Sequence, residues 1–284
     1  MSHKNSIFVL YYNNILIMNS CIKFFGGKNG MYKNIIPEFP EKGSYDTYIE
    51  PFGGSFAIGL HTPEDMIAPI EIYNDLEKNV YSLFKVLSDE AKFNEFKKLC
   101  DLVYYDEDLR SEYIDDLKND KELGEVSRAF RFFYINRTSH NGIGGFSLQR
   151  VVRRNMSKNV SDFLSTVDGL YELHQRLSKV NFMNRDGIEL MKRFSEPNIF
   201  IYADPPYVHS TRGTTRYTVD MDDDTQKKFL EVCINSHAKI LISGYDCEMY
   251  NILTENGFTK KHFDKQVIEG NNYSLNKETL WKNY

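Results

Sequence analysis

Apolar positions in this chain fall into two patterns. The short apolar run at residues 198–203, flanked by polar residues, reads as a buried strand that needs no polar alternation, and 45–49, 69–73, 180–183 and 239–243 read as further strands. Between them, Leu76, Val80, Leu83, Phe84 and Leu87 recur at helical spacing, as do Ile188, Leu190, Met191 and Phe194, and a further helix is predicted through 226–235. Alternating strands and helices predict an α/β fold with a doubly wound, Rossmann-like sheet. From residue 88 to 178 that register lapses. Phe93, Phe96, Leu99 and Cys100 mark one helix, Val126, Ala129, Phe130, Phe133 and Tyr134 another, and Leu170, Leu173, His174 and Leu177 a third, with no strand predicted between them. The expected organisation is a discontinuous α/β domain, 1–87 and 179–284, carrying a mostly helical insertion at 88–178. Residues 279–284 read as a closing strand that packs Trp281, the only tryptophan.

The predicted strand ends carry the candidate chemistry. The run at 198–203 stops at Asp204-Pro205-Pro206-Tyr207. Ligands of an open α/β sheet bind outside the carboxyl ends of its strands, which places Asp204 and Tyr207 at the working crevice. The prolines fix φ and remove two N–H donors, so the Pro205 carbonyl has a defined direction. A carboxylate, a backbone acceptor and an aromatic ring within four residues suit a planar, amino-bearing ring; an ordinary strand-ending turn is the competing reading. The first strand runs into Glu50-Pro51-Phe52-Gly53-Gly54-Ser55, a glycine turn entering an apolar helix, which is the βα corner where a cofactor meets backbone N–H groups. Asp75 ends the second strand, where such folds hold ribose hydroxyls, and Asp186 ends the third; both also suit helix caps. Phe24-Phe25-Gly26-Gly27-Lys28 offers aromatics, a flexible pair and a cation that reaches a carboxylate or phosphate, or a plain turn beside a surface lysine.

Charge changes the picture of the insertion. The net charge is −5, yet residues 88–125 hold thirteen acids against six bases, while 128–158 hold seven bases and no acid. Those bases, Arg128, Arg131, Arg137, Arg150, Arg153, Arg154 and Lys158, are interleaved with Asn136, His140, Asn141 and Gln149. Arginines contact phosphate and guanine and amides read adenine, so the mixture suits duplex DNA, against the alternative of a solvated basic face. Arg212 and Arg216, in a polar stretch after Tyr207, suit a phosphate clamp, a lid or a plain connection. Cys21, Cys100, Cys233 and Cys247 are scattered and no histidine pair has ligand spacing, so no metal site is expected. Four thiols without a pairing pattern fit a reducing cytoplasm. The apolar run at 7–18 is too short to span a membrane and reads as a peripheral strand, or as residues upstream of a start at Met18, in preference to a signal peptide, since Asn13-Asn14 interrupts it and no small-residue cleavage site follows.

Taken in order, Phe24 to Lys28, Glu50 to Ser55, Asn74-Asp75-Leu76, Phe133-Tyr134-Ile135-Asn136-Arg137 with Asn141-Gly142, Asp204 to Tyr207 and the ending from Glu278 to Tyr284 resemble the D12 class, or Dam-like group, of adenine-specific DNA methyltransferases. The resemblance implies S-adenosylmethionine as methyl donor, a Rossmann-like catalytic domain, an inserted target-recognition domain, and methylation of the N6 amino group of an adenine flipped out of double-stranded DNA. By position it implies donor contacts from Phe24, Lys28, Glu50, Pro51, Phe52, Gly53, Asp75, Asp186 and Asp204, and catalysis by Asp204, Pro205, Pro206 and Tyr207. Phe24 stands where the family often has Trp, and Ser55 where many have glycine. DNA contacts are expected from Arg128, Arg137, Asn141, Arg150, Arg153, Arg154, Arg212 and Arg216. A monomer in a bacterial or phage-infected cell, with or without a restriction endonuclease partner, completes the expectation. Its rivals are cytosine, RNA or glutamine methylation, the first and last of which commonly place Ser or Asn at the position of Asp204, and a DNA-binding module with a disabled crevice.

Overall fold

The computed structural model describes residues 9–12, 15–24, 26–119, 122–208, 221–269 and 272–284. The strands are β1 (Val9–Tyr12), β2 (Ile15–Met18), β3 (Thr47–Glu50), β4 (Ile70–Asn74), β5 (Val152–Arg153), β6 (Met156–Ser157), β7 (Asn181–Met183), β8 (Ile199–Ala203), β9 (Lys239–Tyr245), β10 (Thr259–Glu269) and β11 (Asn272–Lys282). The α-helices are α1 (Tyr32–Ile35), α2 (Ala57–His61), α3 (Lys78–Ser88), α4 (Glu90–Leu102), α5 (Glu107–Lys118), α6 (Glu125–Thr138), α7 (Lys158–Asp168), α8 (Leu170–Leu177), α9 (Gly187–Arg193), α10 (Asp223–Asn235) and α11 (Asn251–Glu255).

Seven strands form one sheet in the order β10-β11-β9-β8-β3-β4-β7. β4, β3, β8 and β9 are mutually parallel, and the β10–β11 hairpin adds antiparallel to β9. The chain steps outward from β3 through β4 to β7, then returns to β8 on the other side of β3. The strand order therefore reverses between β3 and β8, and the carboxyl ends of those strands flank the crevice of a doubly wound sheet. The expected α/β class is met. β10 and the first half of β11 were not anticipated, because their sequence is mostly polar and lacks the apolar runs that marked the central strands.

Contacts divide the chain into two compact units, one of residues 1–30, 54–67 and 78–182, the other of 31–53, 68–77 and 183–284. The second unit holds most of the sheet, and its core joins Ile49, Ile72, Ile201, Ile240, Phe229 and Trp281 with their neighbours. In the first unit, α3 packs on α6 and α8. Val80, Leu83, Phe84 and Leu87 of α3 are all buried there, so by contact the helical unit begins ahead of residue 88. Side chains cap its helices: Asp106 accepts from the Leu109 N–H at 2.7 Å before α5, and Asp89 from the Lys92 N–H at 3.0 Å before α4.

This unit also contains a hairpin where no strand was predicted. β5 and β6 pair antiparallel through Arg154 and Asn155, whose φ values are 51° and 61°. Two central residues with positive φ define the tight turn whose twist matches a hairpin. Strands of two residues leave no periodicity to read in the sequence.

Candidate active site

Glu50 closes β3 and Asp204 follows β8, so the two carboxylates stand at adjacent strand ends on the reversal point of the sheet. Glu50 is buried and accepts from the Tyr48 hydroxyl at 2.8 Å, two residues back on the same strand face. Asp204 is half-buried. Ser243, at zero exposure near the end of β9, donates to Asp204 Oδ1 at 2.8 Å, and Tyr202 meets the same Ser243 oxygen at 2.8 Å. Ser243 has one proton and gives it to Asp204, so the Tyr202 hydroxyl is the donor to Ser243. The relay fixes the plane of the carboxylate. Burial, then the neighbouring Asp204, pushes the Tyr202 phenol far above its ordinary range, which keeps it a donor.

Behind Asp204, Gln226 donates to the Pro206 carbonyl at 2.6 Å and accepts from the Tyr250 hydroxyl at 3.0 Å, holding the proline turn from α10. Tyr207 is 6% exposed, and its ring packs edge-on to Tyr245 with centroids 4.7 Å apart. The Tyr207 hydroxyl donates to the Glu278 carboxylate. Ser243 and Glu278 are not predicted as site residues because each sits within a strand, away from the acids at strand ends and the turn that mark the site in the sequence.

The glycine corner is built around Asn74, which has zero exposure. Its side-chain amide donates to the carbonyls of Pro51 at 2.8 Å and Arg185 at 2.9 Å, and its oxygen accepts from the Arg185 N–H at 2.9 Å. Its own carbonyl accepts from the Gly53 N–H at 2.8 Å. One buried amide thus ties the ends of three segments together. A Cβ at Gly53 would lie 2.3 Å from the Tyr73 ring, and one at Gly187 would lie 2.5 Å from Phe52, so both positions require glycine by space. Asp75, half-buried, accepts from the Glu77 N–H at 2.8 Å, and Asp186 accepts from the Ile188 and Glu189 N–H groups at 2.9 and 3.1 Å as the cap of α9. Capping and a ligand contact use different lone pairs and are compatible.

In the first unit, Phe24 packs against Gly54, where a Cβ would lie 2.9 Å from the ring. Lys28 is 3% exposed and donates to the Gly26 carbonyl at 2.9 Å, so it is a buried lysine and not the surface one that a plain turn would carry.

The expected DNA contacts separate into kinds. Arg128 is a correction: it is 7% exposed and donates to Asn79 at 3.2 Å, because it lies on the buried side of α6 and ties that helix to α3. Arg137 is also drawn inward, reaching the Asp162 carbonyl at 3.4 Å, with no hydrogen-bond partner for its Nε among the described residues. Arg153 and Lys158 converge on the Asp162 carboxylate at 3.1 and 2.6 Å. Asn141, Arg150 and Arg154 are exposed, beside the exposed apolar residues Ile143, Leu148, Val151 and Val152. The loop bearing Asn141 is braced: Arg110 donates to Gly144 O at 2.7 Å and Ser139 Oγ at 2.9 Å, and Asn136 exchanges hydrogen bonds of 2.8 and 2.7 Å with the Lys23 backbone. Asn141 itself has a φ of 52°, a conformation its short polar side chain tolerates. Arg212 and Arg216 lie outside the described residues.

The type II methyltransferase M.MjaIII of Methanocaldococcus jannaschii is 26% identical over 265 residues, which cover 87% of this chain and 91% of that protein. The DNA adenine methylase of Escherichia coli is 25% identical over 236 residues, 79% of this chain and 80% of the relative. A solved SAM-dependent methyltransferase from Agrobacterium tumefaciens superposes with a TM-score of 0.44 at 10% identity, over 92% of this chain and 64% of that one. Residues 24–268 match the D12 class N6 adenine-specific DNA methyltransferase family, a span that takes in the glycine corner, Asn74-Asp75 and the Asp204-to-Tyr207 turn. The chain belongs to the D12 class of N6 adenine-specific DNA methyltransferases.

Proposed function

We propose that Asp204, the Pro205 carbonyl and Tyr207 receive an adenine turned out of duplex DNA, and that the crevice beside them takes S-adenosylmethionine. When bound, that donor supplies an electrophilic methyl carbon on a sulfonium. The donor set suits it: the carboxylates of Glu50 and Asp204 favour a cation, the Pro51-Phe52-Gly53 backbone is held by Asn74, and Asp75 offers a half-buried carboxylate to hydroxyl groups. Asp186 would add an acceptor for an adenine edge. Phe24 and Lys28 are assigned to the donor by motif.

The target nitrogen is a poor nucleophile because its lone pair is delocalised into the purine ring. Hydrogen bonds from the amino group to Asp204 and to the Pro205 carbonyl favour a pyramidal nitrogen and stabilise the positive charge that grows on it. Once methylated, the nitrogen is acidic and loses its proton, with Asp204 the nearest acceptor in this reading. A base inside a helix cannot reach that geometry, so extrusion is required. Tyr207 is nearly covered, so a purine lies against its face only after its cover shifts.

Target recognition is assigned to the helical region 88–178. Exposed Asn141, Arg150 and Arg154 supply base-edge and phosphate contacts, with Val151 and Val152 as adjoining apolar surface. Arg153, tied to Asp162, is assigned a secondary phosphate role. Described cysteines are all unpaired, in keeping with a cytoplasmic enzyme.

The observation that carries the proposal is the Ser243-held Asp204 at the carboxyl end of β8. Its test is transfer of labelled methyl groups to unmethylated plasmid DNA. Asp204→Ala should slow single-turnover methylation by more than about a thousandfold while donor binding stays measurable by calorimetry. Methylation at an undiminished rate would overturn the assignment.

A further inference from the structure

β11 enters the sheet between β9 and β10, and its register sets Glu278 directly opposite Tyr245. Both members of that cross-strand pair touch Tyr207, Tyr245 with its ring and Glu278 with its carboxylate. Two positions further along each strand, Leu280 lies opposite Ser243, the residue that donates to Asp204. The same few rungs of the ladder thus support both the acid and the aromatic ring of the proline turn. Glu278 has zero exposure.

A carboxylate at such a depth is expensive, and an apolar residue of similar volume packs a strand at least as well. Stability alone gives no reason for a glutamate here. The hydrogen bond it accepts is of the strong, charge-assisted kind, and the Tyr207 phenol is held far above its ordinary pKa by burial, then by Asp204 and Glu278, so the proton stays on the phenol. A phenol donating to a carboxylate has a polarised O–H bond and a more electron-rich ring face. That face attracts positive charge more strongly.

We propose that Glu278 is a positioning residue for methyl transfer: through the Tyr207 hydroxyl it fixes the orientation of the phenol ring and enriches the face that meets the target base as its amino nitrogen becomes cationic. The inference rests on the assignment of Tyr207 and Asp204 to the target adenine.

The test is a double-mutant cycle on the full chain, read as the single-turnover methylation rate on unmethylated plasmid DNA at saturating S-adenosylmethionine. Tyr207→Phe and Glu278→Gln should each slow the reaction about tenfold, with donor affinity by calorimetry unchanged and the double variant no slower than the slower single one. A merely structural glutamate would disturb donor affinity together with the rate. A wild-type rate for Glu278→Gln, or losses that multiply in the double variant, overturns the inference. If Glu278→Gln melts below the assay temperature, Tyr207→Phe decides alone, and an unchanged rate there overturns it. An active Asp204→Ala enzyme would instead defeat the underlying assignment, whereas an inactive Asp204→Ala with an unaffected Glu278→Gln defeats only the role of Glu278.

Discussion

The carboxyl end of the sheet and the loop-and-hairpin face at residues 140–155 carry polar groups in opposite ways. At the sheet, Glu50, Asn74, Ser243 and Glu278 are buried, and each is fixed by a hydrogen bond to a partner that is itself packed. On the hairpin face, Asn141, Arg150 and Arg154 stand in solvent beside exposed Val151 and Val152. The difference matches the two tasks proposed for them. Stabilising charge in a transition state demands donors and acceptors that need no reorganisation, so they are locked in a low-dielectric surround. Meeting a polyanion demands charge that remains hydrated until contact and then displaces counterions. Between these extremes lies the group around Asp162, where Arg153 and Lys158 share one carboxylate and Arg137 is drawn inside.

The contrast predicts which substitutions break the fold and which only weaken binding. Gly53→Ala should do the most damage, about 3 kcal/mol of stability, because its methyl would enter the Tyr73 ring and force apart the corner that Asn74 holds. Chemical denaturation together with donor titration measures it, and a variant with wild-type midpoint and affinity would mean the corner yields freely. Arg128→Ala comes next, at about 2 kcal/mol, since it removes a buried guanidinium that joins α6 to Asn79. Its residual DNA binding should keep the wild-type salt slope. Arg150→Ala with Arg154→Ala should give the reverse, an unshifted melting temperature and a slope of log affinity against log salt reduced by roughly 2. If Arg128→Ala flattened the slope and the double variant did not, the division between buried and exposed arginines would be wrong.

The smallest effect concerns Lys23. Burial, then the like charge of Arg137, lowers its ammonium to about 8 from an ordinary value of 10.5. Between those two pH values the unfolded chain holds the proton and the folded chain has released it, so stability gains from this group as pH rises through the window. Lys23→Met should accordingly be more stable than the natural chain at pH 7, with the gap closing as pH approaches 10.5. The clamp that Asn136 places on residue 23 uses backbone atoms and survives the change. A gap independent of pH would show that Lys23 is not the group responsible.

Several of these assignments could be read along the chain, and several could not. The apolar runs of β3, β4, β8 and β9 stand out because both faces are covered, and the acids that end them mark the crevice as soon as the fold is α/β. β10 carries polar residues on a sheet edge and escaped. The acid-free run of seven bases from 128 to 158 is not acid-free in space, because the count stops just short of Asp162, one turn into α7. Arg128 and Arg154 look alike in that run, and only helix facing separates the buried brace from the exposed contact.

Sequence by itself determined the α/β class, the strand ends at Glu50, Asp75 and Asp204, and the family, since these depend on local periodicity and on residues adjacent in the chain. Tertiary structure alone decided that Ser243 holds Asp204, that Glu278 meets Tyr207 across 71 residues, and that Asn74 ties residues 51, 53 and 185 together. Hydrogen bonds between distant segments follow from strand order and register, which no stretch of local sequence encodes.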